Sequence, residues 1–379
     1  MAGIYIHIPF CKQACYYCDF YFSTSGRYRT QLVDALLKEM ELRQNYLYNE
    51  QISSIYFGGG TPSLLEEGEI ALVLDKISAH FHVSPDAEIT LEANPDDLTP
   101  EKIAALRRTS VNRLSIGVQS FHDADLKWMN RAHNAAQAIN SIKSAQDAGF
   151  HNLSIDLIYG TPTLTAEGWS QNLETVLGLE LPHISSYCLT VEPKTALHKM
   201  ISSGKYPDVN EESAVAHFAL MTEKLISGGF EQYEISNFCR DGKFSRHNSS
   251  YWKGEKYLGL GPSAHSFDRD SRQWNVADNK LYIESLEQGA LKFEKELLSP
   301  AKKYNEYVLT TLRTSWGCKL QHIESSFGPR YLAHLKTGLL KWISSGMVTA
   351  DEEKVLLTSA GKLYADRIAS DLFVDEDFG

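Results

Sequence analysis

No window of this sequence approaches the 18 or so consecutive apolar residues of a membrane-spanning helix, and its N-terminus lacks the basic-then-apolar pattern of a secretion signal. A cytoplasmic protein is therefore expected, one that meets a membrane only as a visitor. Basic charge is scarce. Lys and Arg number 37 against 48 Asp and Glu, and the net charge of −11 removes the bulk attraction on which most nucleic-acid binders rely. Six cysteines in 379 residues are too few for a disulfide scaffold. A GxSxG elbow, an HExxH pair and a Walker A lysine are all missing, and Gly259-Leu260-Gly261-Pro262 matches a dinucleotide fingerprint only in its first three positions. Low-complexity segments are absent as well. The 43% apolar and 22% charged composition leaves a globular chain with one large domain and a smaller one.

What is present is a rhythm. Short β-branched or apolar runs alternate with helical periods from residue 3 to about 191, the pattern of repeated βα units on a parallel sheet. Six strands are expected, at Gly3–Ile8, Ser54–Phe57, Glu88–Glu92, Arg113–Val118, Leu153–Ile158 and Ile184–Leu189, with helices such as Gln31–Leu42, Glu69–His80 and Ala135–Ala148 between them. Six units fall short of the eight that close a standard barrel, so a partial (β/α)6 barrel, open on one side, is the expected α/β architecture. We place this barrel at residues 1–235, a connecting segment at 236–298 and a mainly helical C-terminal domain at 299–379.

That last domain reads as helices near Lys302–Arg313, Leu320–Phe327, Arg330–Ser344 and Ala360–Phe373, with a two-strand wing at Met347–Thr358. The outline is that of a winged helix. Ten basic against ten acidic residues in Ser299–Gly379 give it no basic stripe, so packing or docking is the expected role.

Three cysteines stand within eight residues. Cys11, Cys15 and Cys18 form a CxxxCxxC run directly after the first strand, where soft thiolates suit iron-sulfur or zinc. Zinc needs a fourth ligand, for which only Asp19 and His7 are near; a three-cysteine cluster with one iron left open is the more economical account. Cys188, Cys239 and Cys318 stand alone and are expected as buried, unreactive thiols.

With Tyr5-Ile6-His7-Ile8-Pro9-Phe10 before the first cysteine and Gly58-Gly59-Gly60-Thr61-Pro62 after the second strand, the chain resembles the radical S-adenosylmethionine (SAM) superfamily, in its HemN-like branch. The resemblance covers nearly the whole chain. It implies a 4Fe-4S cluster on Cys11, Cys15 and Cys18, with SAM on the remaining iron. By the same resemblance Tyr5, Gly59, Gly60, Thr61, Glu92, Gln119, Arg131 and Asp156 hold SAM. These residues sit at successive strand ends, where a parallel barrel gathers its site.

Two functions are known in this branch. One is the oxygen-independent coproporphyrinogen III dehydrogenase, an enzyme; the other is the haem chaperone of the HemW type, which carries haem to respiratory haem proteins. The dehydrogenase pattern has a fourth cysteine two positions after the triplet, whereas this chain reads Cys18-Asp19-Phe20. The dehydrogenase also carries a long N-terminal extension, for which a first strand at Gly3 leaves no room. His247-Asn248-Ser249-Ser250-Tyr251-Trp252 matches the HNxxYW motif of the chaperones. A chaperone binding cluster, SAM and haem is thus expected, with His247 on the haem iron, Tyr251 and Trp252 in support, and His265 as a second candidate. The dehydrogenase or another radical SAM enzyme is the alternative. The resemblance further implies dimerisation on cluster loading and haem acceptors at the cytoplasmic membrane.

Overall fold

The computed structural model describes residues 1–378. Strands β1 (Ala2–Ile8), β2 (Ile52–Gly59), β3 (Val83–Ala93), β4 (Arg113–Gln119), β5 (Leu153–Tyr159) and β6 (His183–Cys188) pair in parallel in that order. All six expected strands are present, the last shifted by one residue. Strand alternation gives the sheet two different faces. Ile4, Ile6, Ile8, Phe57, Leu91, Ile116, Ile155 and Ile184 are buried in one apolar core together with residues of helices Arg29–Leu42, Glu67–His80, Ala135–Asp147 and Ala166–Gly178. The opposite parity is largely polar: Tyr5, His7, Ser54, Tyr56, Glu88, Thr90, Glu92, Arg113, Ser115, Asp156, His183 and Ser185. Parallel strands covered on both sides ordinarily carry apolar residues on both. A polar inner face must be paired internally or offered to a ligand.

The sheet stays open. Beyond β6 lie the short antiparallel strands β7 (Glu231–Glu234) and β8 (Asn237–Cys239), with β8 next to β6. On the other side β9 (Lys256–Leu260) pairs in parallel with β1, followed by antiparallel β10 (His265–Phe267), β11 (Ser271–Asn275) and β12 (Phe293–Leu297). The twelve strands run β12-β11-β10-β9-β1-β2-β3-β4-β5-β6-β8-β7. Residues 236–298 are therefore no mere connection, since they build β8 to β12. Strands of three to five residues joined antiparallel leave too brief an alternation to stand out in sequence.

The C-terminal region has its own core around Tyr304, Val308, Ile323, Leu335, Leu339 and Ile368. Helices Pro300–Leu312, Leu320–Phe327 and Pro329–Ser344 pack with a three-stranded sheet of β13 (Cys318–Lys319), β14 (Val348–Ala350) and β15 (Lys354–Leu357), the order being β13-β15-β14. The expected helix Ala360–Phe373 is split into Ser359–Lys362 and Ala365–Asp371. Gly361 lies within the first of these. It lies so close to the backbone of Met347 that a Cβ would stand 1.9 Å from that carbonyl oxygen, so only glycine fits the close approach there.

Candidate functional site

The C-terminal ends of the parallel strands frame a cavity of about 530 Å3. Its walls bring together Cys11, Cys15, Cys18, Gly59, Gly60, Thr61, Glu92, Gln119, Arg131 and Asp156, ten of the fourteen residues singled out from sequence. None of the three thiols is in a disulfide. The loop that carries them is fixed at both ends. Cys11 N and Ser23 O, and Ser23 N and Pro9 O, bond at 3.0 and 2.7 Å, closing the loop against its own start. Tyr16 N donates to Met129 O, and Asn130 Nδ2 to Ala14 O, seating its far side on the segment before Arg131.

Arg131 is the hub of this seat. Its guanidinium donates to Cys15 Sγ at 3.2 Å, to Asn94 Oδ1 at 2.6 Å and to the Gly117 carbonyl at 2.8 Å. Asn94 passes the contact to Thr61 Oγ1, which donates to Cys11 Sγ at 3.5 Å. One polar chain thus links two cysteines, the glycine loop and two strand ends. The Nε of Arg131 is buried without a partner, a donor left for an acceptor the protein itself does not supply.

The two glycines line the cavity and also allow a close approach within the protein. Gly59 has φ +107°, and a Cβ on it would meet the His7 ring at 2.5 Å; a Cβ on Gly60 would stand 2.6 Å from Phe10 O. They let β2 close on β1 just below the cysteine loop. Gln119 holds φ +66°, a left-handed conformation rare for a side chain of this kind, and such strain concentrates at ligand sites.

The carboxyls of the cavity are poised high. Burial, and then the neighbouring Asp156, push Glu92 up to about 7, although Tyr56 donates a 2.8 Å hydrogen bond to it. Burial likewise lifts Asp156 to about 6, with Ser115 at 3.4 Å. Burial raises Cys11 and carries Cys18 up to about 12. Metal loading must therefore expel protons from these thiols. Among the described residues no three such side chains are gathered for a single metal ion, but three thiols on one cavity wall fit the larger iron-sulfur cluster by the chemistry of the donor set. The orphaned Arg131 Nε and the two carboxyls fit a zwitterionic ligand beside it.

Tyr5, His247, Tyr251, Trp252 and the second haem candidate His265, which is exposed on β10, lie elsewhere. Tyr5 does not line the cavity; its hydroxyl is 3.1 Å from His7 Nδ1, while His7 Nε2 is 2.9 Å from Tyr21 O. Tyr5 therefore braces the returning arm of the cysteine loop through His7. His247, Tyr251 and Trp252 belong to helix Arg246–Trp252, which plugs the opposite end of the barrel. His247 is 1% exposed, stacks on Tyr56 with ring centres 4.9 Å apart, and has both ring nitrogens engaged, Nδ1 with Ser54 Oγ and Nε2 with Tyr251 OH, each at 2.9 Å. Axial ligation by His247 would first have to displace one of these two hydroxyls. Freeing a ring nitrogen in this way would orphan a buried hydroxyl at about 1–3 kcal/mol. Burial, then Arg113, push His247 down to about 3, so the ring is neutral. Glu88 accepts the Arg246 and His247 backbone N–H groups, an anion at the start of the plug helix. Only Asn248 of the plug reaches the cavity floor.

Sequence reasoning missed Tyr56, Ser115 and Ser185 in the walls. Tyr56, Ser115 and Ser185 share the inward parity of Glu92 and Asp156, the signal that would have found them. Cys188 is exposed at the cavity edge, against expectation. It is the last residue of β6, where the sheet no longer covers its neighbours.

Comparison with known proteins now defines the class. Residues 5–176 match the radical SAM superfamily and residues 298–364 the HemN C-terminal domain. The solved coproporphyrinogen III oxidase HemN of Escherichia coli, a radical SAM enzyme, has the same fold at a TM-score of 0.85 and 24% identity, covering 98% of this chain and 90% of that one. Within this class, the heme chaperone HemW of Bacillus subtilis is 34% identical over 97% of this chain and 98% of its own. That of Mycobacterium tuberculosis is 33% identical over 98% and 94%. The chain belongs to the HemW family of radical SAM proteins.

Proposed function

We propose that this protein is a haem carrier that holds a 4Fe-4S cluster and SAM in the strand-end cavity and delivers haem to a haem-requiring protein. The observation that carries the cofactor assignment is that three thiols, Arg131 with its orphaned Nε, Glu92 and Asp156 line one cavity. Cys11, Cys15 and Cys18 would ligate the cluster. Gly59, Gly60, Thr61, Glu92, Gln119, Arg131 and Asp156 would hold SAM, with Tyr5 acting through His7. Bound together, cluster and SAM supply one-electron chemistry, and the protein's part is to position them and keep water away.

Delivery in place of porphyrinogen decarboxylation rests on the named relatives and on Phe20, which stands exposed at the position of the dehydrogenase's fourth cysteine. No described helix is long and apolar enough to cross a membrane, so acceptors in a membrane would be reached from outside it.

The test is anaerobic. The cluster-reconstituted protein is loaded with haem, then mixed with a haem-free cytochrome. Saturable one-to-one binding and recovery of the cytochrome spectrum are expected. Decarboxylation of coproporphyrinogen with SAM consumed, and no haem uptake, would sink the proposal.

A further inference from the structure

Two side chains join the strand-end cavity to the helix that plugs the other end. Tyr56 is the first. Its hydroxyl donates to Glu92 Oε1 at 2.8 Å in the cavity wall, while its ring lies on the imidazole of His247, with centroids 4.9 Å apart and planes at 22°. Asn248 is the second. It follows His247 in the seven-residue helix Arg246–Trp252 and lines the cavity floor, and among the described residues its carboxamide has no hydrogen-bond partner.

Little slack separates these groups. A Cβ on Gly58 would stand 2.9 Å from the Tyr5 ring, 2.9 Å from the Tyr56 ring and 3.1 Å from Glu92 Oε1. Tyr5 in turn lies close to parallel with Tyr56 and with His247, at 23° and 25°. Packing this close passes a displacement on instead of absorbing it. The plug has a closed arrangement, with His247 on Ser54 and Tyr251, and an open one would break at least one of those bonds.

We propose that a ligand in the strand-end cavity holds the plug helix closed, through Asn248 and the Glu92–Tyr56 pair, and so sets when His247 is available. This deepens the reading that cluster and SAM occupy that cavity, and rests on it. A zwitterion seated there meets Glu92 in the wall and Asn248 on the floor, and the contact with Asn248 exists only while the helix is docked. The ligand therefore binds the closed form more tightly, and by reciprocity an open plug weakens the ligand by the same factor. His247 is the residue expected on haem iron, and ligation must first displace Ser54 or Tyr251, so haem uptake and SAM binding oppose one another.

The experiment is amide hydrogen exchange of the full-length, cluster-reconstituted protein, kept oxidised so that SAM is not consumed, with and without saturating SAM. SAM affinity is measured in parallel by calorimetry. Exchange in Arg246–Trp252 is compared with helix Ala166–Gly178, which reports stabilisation of the barrel as a whole. In the wild type SAM should slow the plug by about fivefold or more beyond that reference. Tyr56→Phe, which keeps the ring but not the hydroxyl, should lose part of this protection. Combined with Asn248→Ala it should lose all of it, at SAM concentrations that still saturate. A haem titration followed at the Soret band should show binding weakened by SAM in the wild type and unaffected in the double variant. SAM binding with plug exchange no slower than the reference overturns the coupling alone, as does full protection in the double variant. Haem binding that SAM leaves unchanged, in a plug that SAM protects, overturns the link to His247. A wild type that binds no SAM overturns the occupancy reading and the coupling with it.

Discussion

The two ends of the half-barrel are built from the same residue types to opposite effect. At the plugged end Glu88 caps the helix Arg246–Trp252, His247 lies between Ser54 and Tyr251, and His183 bonds Ser154 and Tyr233 at 2.7 and 2.8 Å. At the open end the carboxyls of Glu92 and Asp156 are held high, Arg131 Nε lacks a partner and Gln119 is strained. Buried polarity is therefore no mark of function by itself. Orphaned atoms do not separate the two ends either, since Thr90 Oγ1, Arg113 Nε, Ser249 Oγ and Trp252 Nε1 of the plugged end also lack partners; what separates them is the strand-end cavity and the raised carboxyls that line it.

The contrast can be broken most severely at the cysteines. Cys15→Ala should abolish the iron-sulfur absorption near 400 nm altogether while far-ultraviolet circular dichroism is kept, since only the open end loses a group. An intact cluster in that variant would defeat the assignment.

The largest loss of stability is expected at the other end. Glu88→Ala removes the anion facing Arg113, whose Nε lies 3.9 Å from it, and uncaps the plug. An uncompensated buried cation of this kind costs about 3–5 kcal/mol, read as a lower urea midpoint, with cluster content per folded molecule unchanged. His247→Ala should cost less, about 2–3 kcal/mol, from the cavity and the two orphaned hydroxyls.

pH sharpens the comparison because the ends respond with opposite sign. His247 is held down to about 3 against an ordinary 6.5, so the unfolded chain binds the extra proton, and stability from this group is lost as pH falls below 6.5. Glu92 is raised to about 7 against 4.5, so the folded chain binds the extra proton, and stability falls as pH rises from 4.5 to 7. In the cluster-free protein, Glu92→Gln should flatten the neutral side of the stability profile and His247→Gln the acid side. Should both variants keep the wild-type profile, the two ends are not electrostatically distinct. The smallest effect belongs to Gln119→Gly, which should stabilise the free protein by about 1 kcal/mol through relief of its left-handed backbone, and weaken SAM binding measured by calorimetry.

Much of this was legible from residue order, and the reasons are local. The six parallel strands follow from alternation, and the cysteine loop from spacing, because both are set by neighbours within a few positions. The bond of His247 to Ser54 spans 193 positions, and no local pattern reports such a contact. β9 was missed for the same cause, since its partner is the first strand of the fold. Cys188 shows the converse limit. Its flanks, Tyr187 and Leu189, look like core, yet Tyr187 is 42% exposed because the strand ends there at the cavity mouth.

The pairing of β1 with β9 also sets an order of events during synthesis. β1 has β2 on one side within some fifty residues, but its other edge waits for β9, about 250 residues later. At about 5–20 residues per second a ribosome needs roughly 10–50 s to bring that strand out. Throughout that interval the strand leading into the cysteine loop keeps one unpaired edge, a template for stray pairing until β9 arrives.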